Sequence, residues 1–335
     1  MATYYGTYGQ KVQYLASDPS DPQIGQVWYN STSAVLKVRS ATTTGTWATG
    51  GNLNNALYAG AMSGTQTAAL SFGGNRYPSP GITAGTEAYN GSSWTNVNAM
   101  NTGRQYLAGC GTQTASLAFG AILATTATEL WNGTSWTTNP TGMNTARGNL
   151  SGAGTQTAGL AIGGDLFPTT PRPTGAVESF NGTSWTTTTS LNTARRNTGA
   201  AGTNTATIVF GGFLDSPNSV RTESESWNGS SWTNTASLPQ ARWNMGSAGT
   251  QTAALGFGGS SSPAGAVPNN STIDWDGSAW STLPATLATS RQRMSGTGTY
   301  PAALGAGGYV TPGVTSATEE WTGPGVAETK TVTVS

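Results

Sequence analysis

The chain has 335 residues, of which 47 are Gly and only 8 % are charged, which excludes long amphipathic helices because Gly disfavours helix interiors and helix exteriors need charge. Fourteen basic and 14 acidic residues cancel, so the chain carries no electrostatic footprint for nucleic acid or for an acidic membrane surface. His is absent and Cys110 is alone, which removes Ser-His-Asp catalysis, imidazole general bases, His-ligated metals, an intrachain disulfide and a thiolate cluster.

The start, Met1-Ala2-Thr3-Tyr4-Tyr5-Gly6-Thr7, lacks a basic segment followed by an apolar one, so no signal peptide is expected. No apolar run approaches the ~20 residues of a membrane span. Between Ile24 and Val38 the order Ile-Gly-Gln-Val-Trp-Tyr-Asn-Ser-Thr-Ser-Ala-Val-Leu-Lys-Val reads as two alternating strands around a polar turn. This segment is similar to hairpins of tailed-bacteriophage fibre and appendage proteins. The resemblance implies that residues 1–43 form an attachment segment.

A short strand follows at Gly45-Thr46-Trp47, and then a block of about 47 residues recurs six times. Its first landmark is Gly64-Thr65-Gln66-Thr67-Ala68, repeated from Gly111, Gly154, Gly202, Gly249 and, in degenerate form, Gly298. Its second is Phe72-Gly73-Gly74, echoed at Phe119-Gly120-Ala121, Ile162-Gly163-Gly164, Phe210-Gly211-Gly212, Phe257-Gly258-Gly259 and Ala306-Gly307-Gly308. Successive glycines of this second set are 47, 43, 48, 47 and 49 residues apart, a period that marks propeller blades or solenoid turns. Within the second block, Leu107–Ala115 leads into the apolar run Ser116-Leu117-Ala118-Phe119. A third strand at Thr128-Glu129-Leu130-Trp131 and a fourth at Ser135-Trp136-Thr137-Thr138 flank Asn132-Gly133. Asn-Gly favours a type I′ hairpin turn, in which both central residues take positive φ. The same dipeptide stands at Asn90, Asn181 and Asn228, with Asp276-Gly277 in the fifth block. Each block is therefore expected to be four short antiparallel strands, one blade of a propeller.

The repeat resembles the kelch family, whose pattern places Gly-Gly after the second strand, an aromatic in the third, a Trp in the fourth and an Arg beyond it. Here the third-strand aromatics are Tyr89, Trp131, Phe180, Trp227 and Trp275, and the fourth-strand residues are Trp94, Trp136, Trp185, Trp232 and Trp280. The arginines are Arg104, Arg147, Arg195, Arg242 and Arg291, each seven residues before a Gly-Thr landmark. The resemblance covers about residues 44–325; Leu57 takes the Arg position of the first block, and Ala121 replaces one glycine. The sixth block supplies three strands through Glu319-Glu320-Trp321 and stops at Gly323-Pro324-Gly325 without a fourth-strand Trp. Trp47 lies ten residues before Leu57, as Trp94 lies ten before Arg104. The fold expected is an all-β, six-bladed kelch-like propeller over 44–325, closed by an N-terminal strand completing the C-terminal blade, since closure protects edge strands. Residues 326–335 alternate as a strand-like tail that meets the N-terminal segment.

Repetition also sorts the candidate functional residues. Glu87, Glu129, Glu178, Glu225 and Glu319 each stand four residues before a turn glycine, with Ile273 at that place in the fifth block. A catalytic carboxylate pair would break such symmetry, so no catalytic residue, metal or cofactor is expected, and the chain is not expected to be an enzyme. The five arginines, at one position of successive blades, would either line a rim that grips an anionic ligand or staple neighbouring blades. The loops 75–85, 165–175, 213–221, 260–271 and 309–317 break the repeat, and recognition usually resides on such loops. Their binding candidates are Arg76, Tyr77, Asp165, Phe167, Arg172, Phe213, Asp215 and Tyr309, aromatics beside polar groups that suit a sugar ring. The function expected is a bacteriophage virion structural protein, a tail fibre or other appendage component. It would be made in the host cytoplasm and held in an oligomeric assembly through residues 1–43 and the tail, with a host-surface glycan as ligand. A stand-alone lectin is the alternative, and a glycan-cleaving enzyme rests only on the carboxylates.

Overall fold

The computed structural model describes residues 12–23, 25–41, 44–76, 81–122, 125–169, 172–216, 218–264, 267–325 and 327–332. It divides into two compact units, one formed by Trp47–Trp321 and one by the two chain ends, Met1–Thr46 with Thr322–Ser335. Every regular element among the described residues is a β-strand. Among the described residues no helix is long and apolar enough to cross a membrane.

Among the described residues the larger unit holds, beside three small two-stranded hairpins, six four-stranded sheets. In the second, strands Ala108–Gly111, Ser116–Phe119, Thr128–Trp131 and Trp136–Thr138 pair antiparallel in sequence order. The first, third, fourth and fifth sheets begin at Ala61–Gly64, Ser151–Thr155, Gly199–Gly202 and Gly246–Gly249 and repeat this plan. The sixth contains Ser295–Gly298, Ala302–Ala306, Thr318–Thr322 and, as its fourth strand, Thr46–Thr49 from the other end of the chain. Each first strand lies against the first strand of the next sheet, and Ser295–Gly298 lies against Ala61–Gly64. An all-β chain of small antiparallel sheets arranged this way is compatible with a β-propeller.

Burial along the strands follows from this packing. The second strand of most sheets is buried at every residue, as in Ala69–Phe72, Ser116–Phe119, Thr207–Phe210 and Ala254–Phe257. Both of its faces meet neighbouring sheets, so it carries continuous apolar runs rather than alternation. Fourth strands such as Trp94–Val97 and Trp185–Thr188 bury the Trp and turn Thr and Asn outward. The Asn-Gly turn differs from the type I′ expectation. Tyr89 pairs with Trp94, so four residues lie between the strands, and only the glycines take positive φ, 90° at Gly91 and 92° at Gly133. The Asn side chain closes the loop: Asn90 Oδ1 accepts the Ser92 and Ser93 amides at 3.0 and 2.9 Å, an Asx turn.

Three sets of contacts join one sheet to the next. Each fourth-strand Trp packs on its own third-strand aromatic, as Trp131 on Trp136 at 5.5 Å, and, where the preceding sheet carries a second-strand Phe, on that ring too, as Trp185 on Phe119 at 5.0 Å. Such pairs contribute about 0.5–1.5 kcal/mol beyond burial. Trp47 does the same in the sixth sheet, 4.9 Å from Phe257 and 5.4 Å from Trp321. The landmark Gln reaches backward: Gln113 Nε2 donates to the Ala69 and Tyr89 carbonyls at 3.1 and 2.5 Å. Gln66 donates to Ala303 and Trp321 of the sixth sheet at 3.1 and 2.6 Å. Finally, Ala59, Tyr106, Asn149, Asn197, Asn244 and Arg293 occupy one repeat position at φ 53–55°. Each of these amides donates to the carbonyl of its predecessor at 2.7–3.1 Å, and the Ala59 amide donates to Arg293 at 2.8 Å.

In the smaller unit, Gln13–Leu15, Val27–Asn30, Val35–Ala41 and Ala327–Val332 form one sheet. Val27–Asn30 and Val35–Ala41 are the hairpin read from the sequence, and the latter pairs with the tail strand, Leu36 opposite Val332 and Arg39 opposite Thr329. Asp18 anchors it by accepting Lys37 Nζ at 2.6 Å, Asn30 Nδ2 at 2.7 Å and the indole of the fully buried Trp28 at 3.0 Å. These three donors hold the Asp18 carboxyl down at about 2.

Candidate functional site

The arginines of the repeat do not present their guanidinium groups to solvent: Arg104, Arg147, Arg195, Arg242 and Arg291 are at most 3 % exposed. Four pair with the repeat carboxylate of their own block: Arg104 with Glu129 at 2.8 Å, Arg147 with Glu178 at 2.5 Å, Arg195 with Glu225 at 2.8 Å and Arg291 with Glu319 at 2.6 Å. Further Nη donors go to carbonyls, as Arg195 Nη1 to Gly211 and Glu223 at 2.8 and 2.6 Å, while each Nε is buried without a partner. The carboxylates also accept amides from the segment entering the sheet, as Glu178 from Asn144 at 2.6 Å and Thr145 at 3.1 Å. Burial lowers the affinity of each guanidinium for its proton, and the partner carboxylate opposes that shift. These groups therefore tie each incoming segment to its sheet and, being buried, offer no donor to a ligand at the surface.

The two departures from the repeat are solved locally. Where Leu57 replaces Arg, Glu87 accepts the backbone and side-chain amides of Asn54 and Asn55 at 2.7–3.2 Å. Where Ile273 replaces Glu, Arg242 donates to the Gly258 and Ser271 carbonyls at 3.3 and 2.9 Å and to the Ser271 hydroxyl at 2.5 Å. With no counter-charge, burial lowers Arg242 to about 10.

The loop candidates converge more selectively. Asp165, 1 % exposed, accepts Arg172 Nη2 at 3.1 Å and Arg196 Nη1 at 3.0 Å, and Arg196 Nη2 reaches Asp215 at 2.6 Å. The Arg196 guanidinium also lies 5.1 Å from the centre of the Phe213 ring, and Arg172 lies 5.1 Å from that of Phe167, cation–π contacts that hold both planes. Phe213 is buried and packs on Trp243 at 4.6 Å. Tyr309 belongs to a neighbouring group, with Tyr58 6.3 Å away and Tyr106 in turn 6.4 Å from Tyr58. Arg76 stands apart on the small hairpin Asn75–Arg76 with Gly81–Ile82, and Tyr77 lies outside the described residues.

Sequence reasoning missed half of this cluster. Arg196 and Trp243 follow the repeat Arg by one residue, and Tyr106, Asn149, Asn197, Asn244 and Arg293 follow it, or the Arg position, by two. Those positions vary from block to block, which was the available signal. Together with Ile122 and Arg172, several of them enclose a cavity of about 240 Å³ lined by Tyr106, Ile122, Asn149, Arg172, Arg196, Asn197, Trp243 and Arg293. A second space of about 100 Å³ shares Tyr106, Asn149, Asn197 and Arg293 with it and adds Asn244. Arg293 sits 5.8 and 5.6 Å from the Tyr58 and Tyr106 ring centres. Desolvation raises the Tyr106 hydroxyl above its ordinary range, opposed by the charge of Arg293. Non-Gly residues at φ near 55° are uncommon and gather at ligand clamps and similar sites.

The geometry defines an all-β repeat protein with an arginine- and aromatic-rich loop cluster on one of its units. Among the described residues no group of three or more His, Cys, Asp or Glu could hold a metal ion. No protein-family model matches the chain, and a search of curated proteins finds no match to it.

Proposed function

We propose that this chain is a recognition protein without catalytic function, a bacteriophage virion component of the tail-fibre or appendage type. Its larger unit is read as a six-bladed kelch-like β-propeller spanning about residues 44–325, closed by Thr46–Thr49 as the outer strand of the last blade. Support for closure comes from the head-to-tail backbone bonds that run from Ala59 through Arg293 and back, and from Gln66 bonding the sixth sheet. The observation that carries the functional reading is the sheet shared by both chain ends, with Val35–Ala41 paired to Ala327–Val332 in a compact unit of its own. A separate terminal module suits attachment to other virion proteins, which leaves the loop cluster for host or subunit contact. A non-enzymatic role is favoured because the repeated carboxylates that could have formed a catalytic pair are buried, four of them against arginines.

The test is incorporation. Removing residues 1–43 together with the tail from the gene in its native particle context should leave a folded repeat unit that is missing from purified particles by mass spectrometry. Unchanged incorporation would sink the attachment reading. The loop cluster favours a second reading, a stand-alone lectin, which predicts glycan-array binding by the isolated chain with no assembly partner.

A further inference from the structure

We propose that the cavity bounded by Tyr106, Ile122, Arg172, Arg196, Trp243 and Arg293 binds a carboxylate-bearing sugar residue, with Arg293 as the group that receives the carboxylate. The inference rests on reading the loop cluster as the recognition surface and adds the ligand class. Charge is the first observation. Three arginines line the cavity, whereas the carboxylates beside them are Asp165 and Asp215, both bound by Arg172 and Arg196. Arg293 makes no ion pair with any carboxylate among the described residues, and its charge is flanked by the Tyr58 and Tyr106 rings. A guanidinium resting against two aromatic rings has its fork restricted, and it can meet a planar carboxylate with two parallel N–H bonds.

Unused hydrogen-bonding capacity is the second observation. The Asn197 Oδ1, on a residue that lines the cavity, is buried and without a partner. Buried polar groups are normally satisfied, and orphans beside a cavity mark where a polar ligand completes them. One acceptor oxygen and one guanidinium match a sugar that carries a hydroxyl next to its carboxylate. Size is the third. About 240 Å³ falls below the roughly 300–1,000 Å³ of sites for larger ligands, so the cavity takes a single residue. Its walls include Trp243 and Ile122, surfaces that accept the C–H face of a sugar ring. Arg172, 39 % exposed, places the cluster at the surface.

The experiment is ligand-observed saturation-transfer NMR with the full chain at low ionic strength, using D-glucuronate, D-glucose and N-acetyl-L-glutamate as probes. The expected result is transfer to glucuronate alone, weakened at least tenfold in Arg293→Gln and removed in Ile122→Glu, which brings a carboxylate of the protein's own to the site. Ile122 is half-buried on a loop, so that second variant decides the matter if Arg293→Gln does not fold. Equal transfer to glucose, transfer to N-acetylglutamate in preference to glucuronate, no transfer to any probe, or unchanged binding in the variants would each overturn the proposal. None of these outcomes touches attachment through the terminal sheet, which is read by particle incorporation.

Discussion

Replacing Glu178 by Gln removes one charge from a pair whose two side chains are both fully buried, with Arg147 at 2.5 Å. The carboxylate is surrounded by donors: Oε2 accepts the Asn144 amide at 2.6 Å, and Oε1 accepts Thr145 at 3.1 Å together with Arg147. Gln offers one oxygen, so its NH₂ must face a donor, either the Asn144 amide or the guanidinium. Breaking a buried pair from one side costs about 3–5 kcal/mol, because the surviving charge stays uncompensated. For a unit of this size that corresponds to a fall of roughly 5–9 °C in Tm. Equilibrium unfolding in urea, followed by Trp fluorescence and by circular dichroism, measures the loss; coincidence of the two probes checks that one transition is being read. The double variant Arg147→Met/Glu178→Leu should recover much of the loss, since two apolar groups leave no unpaired charge. The fifth repeat supplies an internal control. Arg242 has Ile273 where an acid would stand and leans on carbonyls and Ser271, so Arg242→Met should cost clearly less than Arg147→Met. A cost below about 1 kcal/mol for Glu178→Gln, or equal costs for the two Met variants, would refute the reasoning.

Gln66→Ala deletes the two bonds from the first sheet to Ala303 and Trp321 of the sixth and leaves buried carbonyls unpaired, so urea titration should show a loss of about 1–3 kcal/mol. Cys110 is buried, and desolvation pushes its thiol up to about 12, so a thiol-reactive chromophore near neutral pH should label it only after unfolding; rapid labelling of the native chain would count against its placement. Asp18 titrates in the folded smaller unit at about 2 rather than at its ordinary 3.8. A depressed folded value gives stability that is present above the unfolded value and lost as pH falls through the folded one. The Trp28 indole resonance of the folded chain should therefore shift with its midpoint near pH 2, at the lowered Asp18 value, and Asp18→Asn should abolish that dependence.

Much of the strand plan was legible because it is local. A second strand with neighbours on both faces must be largely apolar, so Ser116-Leu117-Ala118-Phe119 announces itself, and the first glycine after each such strand marks a backbone that no side chain fits. At Gly73 a Cβ would come within 2.6 Å of the Arg104 carbonyl, with φ at 67°. The Asn-Gly turn was legible as a turn but not in its type, since the side chain of Asn90, rather than its backbone angle, closes the loop. Asp165, Arg172, Phe213 and Asp215 stood out because their loops break the repeat, and they do come together.

The rest depends on approach in three dimensions. A sequence shows that an arginine recurs but not which way its side chain turns. The same five residues could have faced a ligand, and it is the acid opposite, across the strands of its own sheet, that draws four of them inward. The cavity shows the same limit, because Tyr106, Arg172, Trp243 and Arg293 come from four different repeats. No local pattern encodes their meeting. The amino-acid order by itself determined that this chain would be all-β, repetitive and poor in charge, because strand periodicity and turn chemistry act over a few residues. Tertiary structure alone decided which charges were paired and which were left over, because desolvation depends on what each group meets when the sheets pack.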